Sequence, residues 1–519
     1  MQTRVKDFLF ELIKSLTKSE KRYFKLHASR HTIGEENTYV TLFDFLDRMP
    51  EYNEDRVFQH FKGSPFLNRF SITKKRLYDH ILSALDDFHT SHSIDAKLNK
   101  SLHSADILFN KGLYDQSARV IKSAIKIAET HQRYALLFTL RRRQKQLIEN
   151  LGYTEFTLED LTAVREEDHS LLQHESYYAE LWNIKSVLFY ELGRKGKARS
   201  TQEIHSYKNI IEALKPIPSR WGHSFEVNYL YNHILSAYYF AIDEMNNSYK
   251  HLKVNSELFT AHPEQLQMQL NKYFSLVTNT IYVAEKLGKN RDADDLLKQL
   301  KSIQHMVNEQ QFTDVRMKYF ASVTSSELSL MTHRGIFTLS STQLSAITDQ
   351  LDQYDDKISA TRRSYIRFKI ATILLANGEL SMALKWVNSI LNDEGLDASE
   401  DIRSYTHLLH MLIHLELKNN DVLTYMMKNT QRFLKSRNRL HGFEQSFLQF
   451  LTKRLKCTTK LEELDCWEEL YTQLSILKED SFEHYAFDYF DLLHWAESKF
   501  KNTSFVELVQ REKRKSNLV

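Results

Sequence analysis

The sequence predicts an all-α protein, and three observations carry that expectation. Glycine and proline are scarce, at 12 and 5 of 519 residues, against roughly 7% and 5% in average usage, so a fold rich in tight turns is hard to assemble from them. Apolar residues recur at spacings of three and four along nearly the whole chain, as in Ala105, Leu108, Phe109 and Leu113, then Val120, Ile121, Ala124, Ile127 and Ala128. That is the period of a helix with one buried face. Strand-like alternation bounded by turn residues is almost absent. Sandwiches, barrels and dinucleotide-binding folds are disfavoured on these grounds, and 42% hydrophobic with 26% charged residues describes helices that keep much polar surface in water.

The elements follow from local signals. Residues 1–92 read as an N-terminal module of shorter helices. Residues 3–15 form the first, because Thr17-Lys-Ser-Glu20 is a capping box in which hydroxyl and carboxylate satisfy each other's free backbone N–H groups and start a second helix. Asn37 is suited to cap a helix carrying Val40, Leu42, Phe43 and Leu46, which Pro50 stops. Asn53 caps another with Val57, Phe58 and Phe61, ended by Gly63. After Ser64-Pro65, Ser71 is expected to cap a long helix with Leu77, Ile81, Leu82, Leu85 and Phe88.

From residue 93 to about 500 the rhythm changes to longer paired helices. Gly112-Leu-Tyr-Asp-Gln-Ser-Ala118, Gly193-Arg-Lys-Gly-Lys-Ala198, Gly288-Lys-Asn-Arg-Asp-Ala293 and Gly378-Glu-Leu-Ser-Met-Ala383 each follow one amphipathic helix and open another. Glycine ends the first helix in a left-handed conformation, and alanine lets the second approach closely. Ala105, Ser186 and Ala371, one helix earlier, meet the same need. Most clearly over 98–131 and 364–393, these turns and small residues resemble the tetratricopeptide repeat family. The resemblance implies an α-solenoid of stacked helical hairpins. Gly-to-Gly separations of 81 (112 to 193), 95 (193 to 288) and 90 (288 to 378) are two to three times the usual repeat of about 34. Degenerate pairs should therefore intervene, with candidates at 134–150 with 158–172, 228–244 with 249–259, and 406–417 with 422–436. The family's closing proline is mostly missing. Pro216-Ile-Pro218-Ser-Arg-Trp221-Gly222 either separates two stacks or forms a long loop, residues 391–401 make an acidic loop that caps the next helix, and 501–519 hold a helix end with the basic tail Arg511–Lys515.

Charge and cysteine content narrow the function classes. Seventy Lys and Arg against 67 Asp and Glu leave +3 with 23 histidines neutral, a near balance that disfavours a protein that coats nucleic acid. Cys457 and Cys466 lack zinc spacing and are too few for a disulfide framework, so a reducing cytoplasm is the expected compartment. No stretch reaches the apolar length of a membrane span, and the opening residues lack the apolar core of a signal peptide.

Three clusters carry candidate chemistry. His407, His410 and His414 fall at i, i+3 and i+7, within about 60 degrees on one helix face. They begin a metal site only if their ligand atoms converge, and the default is a polar groove-lining stripe opposite Leu408, Leu412, Ile413 and Leu415. Lys74, Lys75 and Arg76 stand near a helix start, where the macrodipole disfavours cations. A phosphate would gain from them, and Lys18, Lys21, Arg22 and Lys25 would add a second basic stripe, giving a helix-turn-helix-like reader. The plain alternative is a solvated face, since residues 1–90 carry 15 basic against 13 acidic residues. Arg141, Arg142 and Arg143 read as an exposed or groove-facing patch. No phosphate-loop spacing, nucleophile elbow or paired catalytic acids appear. The expected function is a non-enzymatic scaffold, without cofactor, that binds a protein or peptide on an inner surface bearing tyrosine, arginine and histidine. The alternative is a regulator whose N-terminal module binds nucleic acid while the repeats sense a partner.

Overall fold

The computed structural model describes residues 7–29, 38–90, 93–153, 156–309, 313–354, 357–396 and 401–516, and all regular structure among them is helical. The chain divides into two compact units, residues 1–177 and 178–519. The boundary expected near residue 92 lies inside the first unit, between two separate apolar cores.

In the first unit, helices Phe8–Ser15, Lys18–Ser29, Thr38–Arg48, Glu54–His60 and Phe70–Thr90 enclose a core of Ile13, Phe24, Leu42, Phe43, Leu46, Leu77 and Ile81. The capping box is formed, with Thr17 N donating to Glu20 Oε2 at 2.7 Å and Glu20 N to Thr17 Oγ1 at 3.3 Å. Asn53 caps as expected, accepting from Arg56 N at 3.0 Å. Asp7 caps the first helix, while residues 3–6 and Asn37 lie outside the described residues. Ser71 is not a cap: a 3₁₀ turn, Pro65–Arg69, leads straight into the helix, and the Phe70 N–H is spent on Leu67 O. Helices Ile94–Asn110, Tyr114–Thr130 and Tyr134–Asn150 follow, each packed on its neighbours. Ser117 Oγ donates to Ala105 O at 2.8 Å and is fully buried, so at this turn serine makes the close approach assigned to Ala118.

The second unit repeats the hairpin. Phe225–Ala241 packs on Met245–Ala261, Leu270–Lys286 on Asn290–Ser302, Ala360–Ala376 on Leu380–Leu391, and Asp401–Glu416 on Asn420–Lys435. First helices also contact one another, through Leu270–Lys286, Thr313–His333, Ala360–Ala376 and Asp401–Glu416. Ser248 Oγ donates to Ser236 O at 2.9 Å, twelve residues back, as at Ser117. Two of the three expected intermediate pairs thus exist, at 225–241 with 245–261 and 401–416 with 420–435, whereas Tyr134–Asn150 packs on Tyr114–Thr130 rather than pairing with 158–172. No glycine marks their turns, because Asp243 and Lys418 hold the left-handed position instead, at φ 62° and 60°. Each turn closes with an N–H to a carbonyl five residues back, Glu244 to Tyr239 and Asn419 to His414, as Leu113 to Leu108 and Glu379 to Leu374 do.

Gly193 does not end its helix. Leu158–Lys195 runs through it, past residue 177 where the first unit ends, and Gly196 takes the positive φ at 66°. Ala198 lies before the next helix, Thr201–Ile211, which Ser200 caps. The Pro216–Gly222 break is a loop within the second unit, with Trp221 buried. Of the acidic loop, 397–400 lie outside the described residues; Asp393 accepts from both Nε and Nη2 of Arg363 at 2.6 Å.

Candidate functional site

The surface shared by the first helices of the second unit is partly filled by the chain itself. Between Lys460–Lys478 and Leu492–Phe500 the chain leaves α-helix, making only the 3₁₀ turn His484–Asp488, and this segment lies against three first helices. Tyr489 stacks on Tyr405 at 3.9 Å. Asp488 accepts from Lys286 Nζ at 2.5 Å and Tyr282 OH at 3.1 Å, and Lys369 Nζ donates to its carbonyl at 3.4 Å. Burial opposes the Asp488 charge, but the Lys286 and Lys197 ammonium groups outweigh it and hold the carboxyl at about 2. Burial also lowers Lys369 to about 8. Five residues upstream of Asp488, Glu483 Oε2 meets Arg199 Nη2 at 2.5 Å and Phe443 N at 3.0 Å, and Gly442 N donates to Oε1 at 3.1 Å.

Beside this segment the same surface stays open as a cleft of about 670 Å³. Aromatic rings of Phe189, Phe240, Tyr282, Tyr365 and Tyr489 form its apolar walls. Hydroxyls and amides line the rest, including Ser275, Thr278, Asn279, Ser326 and Ser329. Ser326 Oγ, in a residue 2% exposed, and Thr278 Oγ1 have no hydrogen-bond partner among the described residues. His233 lies between Phe189 and Tyr229, at 5.0 and 5.7 Å. Burial, with Lys185 and Lys272 adding to it, lowers its pKa to about 4, so the ring is neutral at pH 7. Arg362 also lines the cleft.

The sequence-derived candidates fall elsewhere. Lys74 is committed inside the first unit: its Nζ meets Asp7 Oδ2 at 2.8 Å and Tyr52 OH at 3.0 Å and lies 5.1 Å from the Phe70 ring centre. Burial works against that charge, but these partners raise the lysine pKa above its ordinary value. Lys75 and Arg76 point to solvent, so the three do not converge. In the second basic stripe, Lys21 pairs with Asp47 and Lys25 with Asp44, both at 2.5 Å. Arg141 is buried between Glu129, at 2.8 Å, and Glu167, and Arg143 pairs with Asp106 at 2.5 Å, leaving Arg142 exposed. The first and third are ties between helices, contrary to an exposed patch.

His410 and His414 meet Nε2 to Nε2 at 3.1 Å, but His407 packs instead on Phe433, 4.6 Å between rings. His407 thus turns toward Asn420–Lys435, while Tyr405 faces the inserted segment. Burial holds His407 and His410 at about 4. Among the described residues one trio has atoms close enough to share a cation: Asp491, His494 and Glu512, all within 4.8 Å. It is already balanced from within. His494 Nδ1 bonds Asp491 at 2.6 Å, Asp491 caps its helix, and Lys478 Nζ sits 2.8 Å from Glu512.

Sequence reasoning missed Arg199, Lys286, Arg362 and Asp488 because no local pattern sets any of them apart from the charged residues around it. Their meeting is a property of packing. No protein-family model matches the chain, and no curated protein matches it. Among the described residues, no helix is long and apolar enough to cross a membrane.

Proposed function

We propose that the chain is a non-enzymatic peptide-binding scaffold, in which the second unit is a tetratricopeptide-like α-solenoid of degenerate hairpins and its open cleft receives an extended segment of a partner protein. The observation that supports this best is the cleft's composition: aromatic walls beside buried hydroxyls that have no partner of their own. A preformed apolar cavity with a few placed polar groups is what a bound segment requires. Side-chain hydroxyls that lack partners are costly when buried and are satisfied when a peptide backbone arrives. The inserted segment supports the same reading, since it is non-α polypeptide already seated on the adjoining surface.

Random dodecapeptides displayed on phage and selected against the full chain would test the proposal, with affinities then measured by fluorescence anisotropy. Micromolar binding that Ser275→Trp abolishes by filling the cleft, while Lys298→Trp on an exposed helix leaves it intact, is the expected result. Binding indifferent to Ser275→Trp would place the peptide elsewhere and sink the proposal.

A further inference from the structure

One cation of the cleft, Arg362, has no carboxylate partner among the described residues. Lys318 pairs with Asp314 at 2.9 Å, and Lys286 holds Asp488 at 2.5 Å. Arg362 has five N–H donors, yet its one hydrogen bond among the described residues is with Ser322 Oγ, at 3.4 Å. Burial is the sole cause acting on its pKa and lowers it, with no carboxylate contributing. Ser326 Oγ, also on the cleft wall, is buried and has no partner among the described residues. A half-buried guanidinium beside unfilled hydroxyls is an incomplete anion site.

The chain's own segment shows how this surface binds polypeptide. Glu483 and Asp488 are taken by Arg199 and Lys286, and the aromatic residues between and after them pack into the gaps. Asp488 and Tyr489 then form part of the open cleft's wall, so a peptide entering it continues the same row.

We propose that Arg362 receives the carboxylate of an aspartate or glutamate side chain within the bound segment, so that the partner is an acidic, aromatic stretch of polypeptide chemically like residues 483–491. This rests on the cleft being a peptide site. One uncompensated guanidinium balances one negative charge, which matches a carboxylate better than a dianionic phosphate, because Lys286 and Lys318 are already engaged.

The test uses the full chain and pools of dodecapeptides, acetylated and amidated so that the only anions are side chains. One pool carries Asp or Glu flanked by Tyr or Phe, a second carries Asn or Gln at the same positions, and a third carries phosphoserine there. Wild type should prefer the acidic pool over the amide pool by roughly 10- to 100-fold, and Arg362→Leu should remove that preference with an unchanged melting temperature. Arg362→Lys should restore it in part. Equal binding of acidic and amide pools, unaffected by Arg362→Leu, would overturn the inference and leave peptide binding standing. Preference for phosphoserine over carboxylate would overturn the assignment of the anion. If no pool binds, the peptide reading fails and the partner inference with it. N-acetyl-aspartate N-methylamide, followed by ligand-observed NMR against wild type and Arg362→Leu, then shows whether the anion site itself exists.

Discussion

Replacing Arg199 with methionine isolates the buried charge cluster that anchors the inserted segment. The Arg199 side chain is 3% exposed and that of Glu444 2% exposed, with Nη1 to Oε1 at 2.7 Å; the second contact runs to Glu483. Removing the guanidinium leaves a fully buried carboxylate and a nearly buried one facing each other without a cation. Breaking one partner of such a cluster costs ~3–5 kcal/mol, whereas replacing all its charges together is often close to neutral. Both carboxylates also accept backbone N–H groups, Glu444 from His441 and Glu483 from Gly442 and Phe443. Gln at these positions keeps an acceptor oxygen for them. Arg199→Met alone should therefore lower stability by ~4 kcal/mol, and Arg199→Met with Glu444→Gln and Glu483→Gln should recover at least half of that loss. The five tryptophans, Trp182, Trp221, Trp386, Trp467 and Trp495, all fall in the second unit, so guanidinium unfolding followed by tryptophan emission reports that unit alone. With a denaturant slope of roughly 6 kcal/mol per molar or more, the single variant's midpoint falls by about half a molar. A single variant within 1 kcal/mol of wild type, or a triple variant no better than the single, would refute the assignment of the cluster as an interdependent buried ion set.

Further outcomes follow from other sites. Gly196→Ala should cost more than Gly378→Ala in the same unfolding assay: both have positive φ, 66° and 77°, but a Cβ on Gly196 would stand 2.0 Å from Asp401 Oδ2, while one on Gly378 meets nothing within 4 Å. The left-handed conformation alone costs ~1–2 kcal/mol, so equal losses would show that Asp401 moves freely aside. His407 and His410 have folded pKa values of about 4 against 6.5 when free. The unfolded chain therefore binds more protons between those limits, and stability held above pH 6.5 is lost as pH falls toward 4. His407→Gln with His410→Gln should flatten that part of the stability profile measured between pH 7 and 4.5, and an unchanged slope would contradict it. Lys74→Met should lower the first unit's protection against hydrogen exchange around Phe8–Ser15, since Asp7 loses its 2.8 Å partner. Lys75→Ala with Arg76→Ala should not; equal effects would mean that the Asp7 contact carries no weight.

Much of the helical pattern was legible because it is local. Thr17 with Glu20 and Asn53 announce helix starts whose hydrogen bonds span three residues, and Gly112, Gly288 and Gly378 mark turns because only a residue without Cβ enters the left-handed region at little cost. Signals failed where another residue occupies a familiar geometry at modest strain, as Asp243 and Lys418 do, or where another element runs straight into a helix, as Pro65–Arg69 does into Phe70. The arginine and lysine runs misled for a different reason. A run of like charges looks like one patch, yet successive residues on a helix point about 100 degrees apart, so Arg141 and Arg143 find acids on other helices while Arg142 meets water.

Apolar period, glycine scarcity and capping residues by themselves determined that this chain is built of helices and where many of them begin and end. Tertiary structure alone decided what those helices surround: that Glu483 and Asp488 return to Arg199 and Lys286, and that Arg362 is left facing an open cleft. Helix formation depends on residues three or four apart, which a sequence displays directly. Charge pairing across about 200 to 300 positions of chain depends on which faces packing brings together, and no local pattern encodes it.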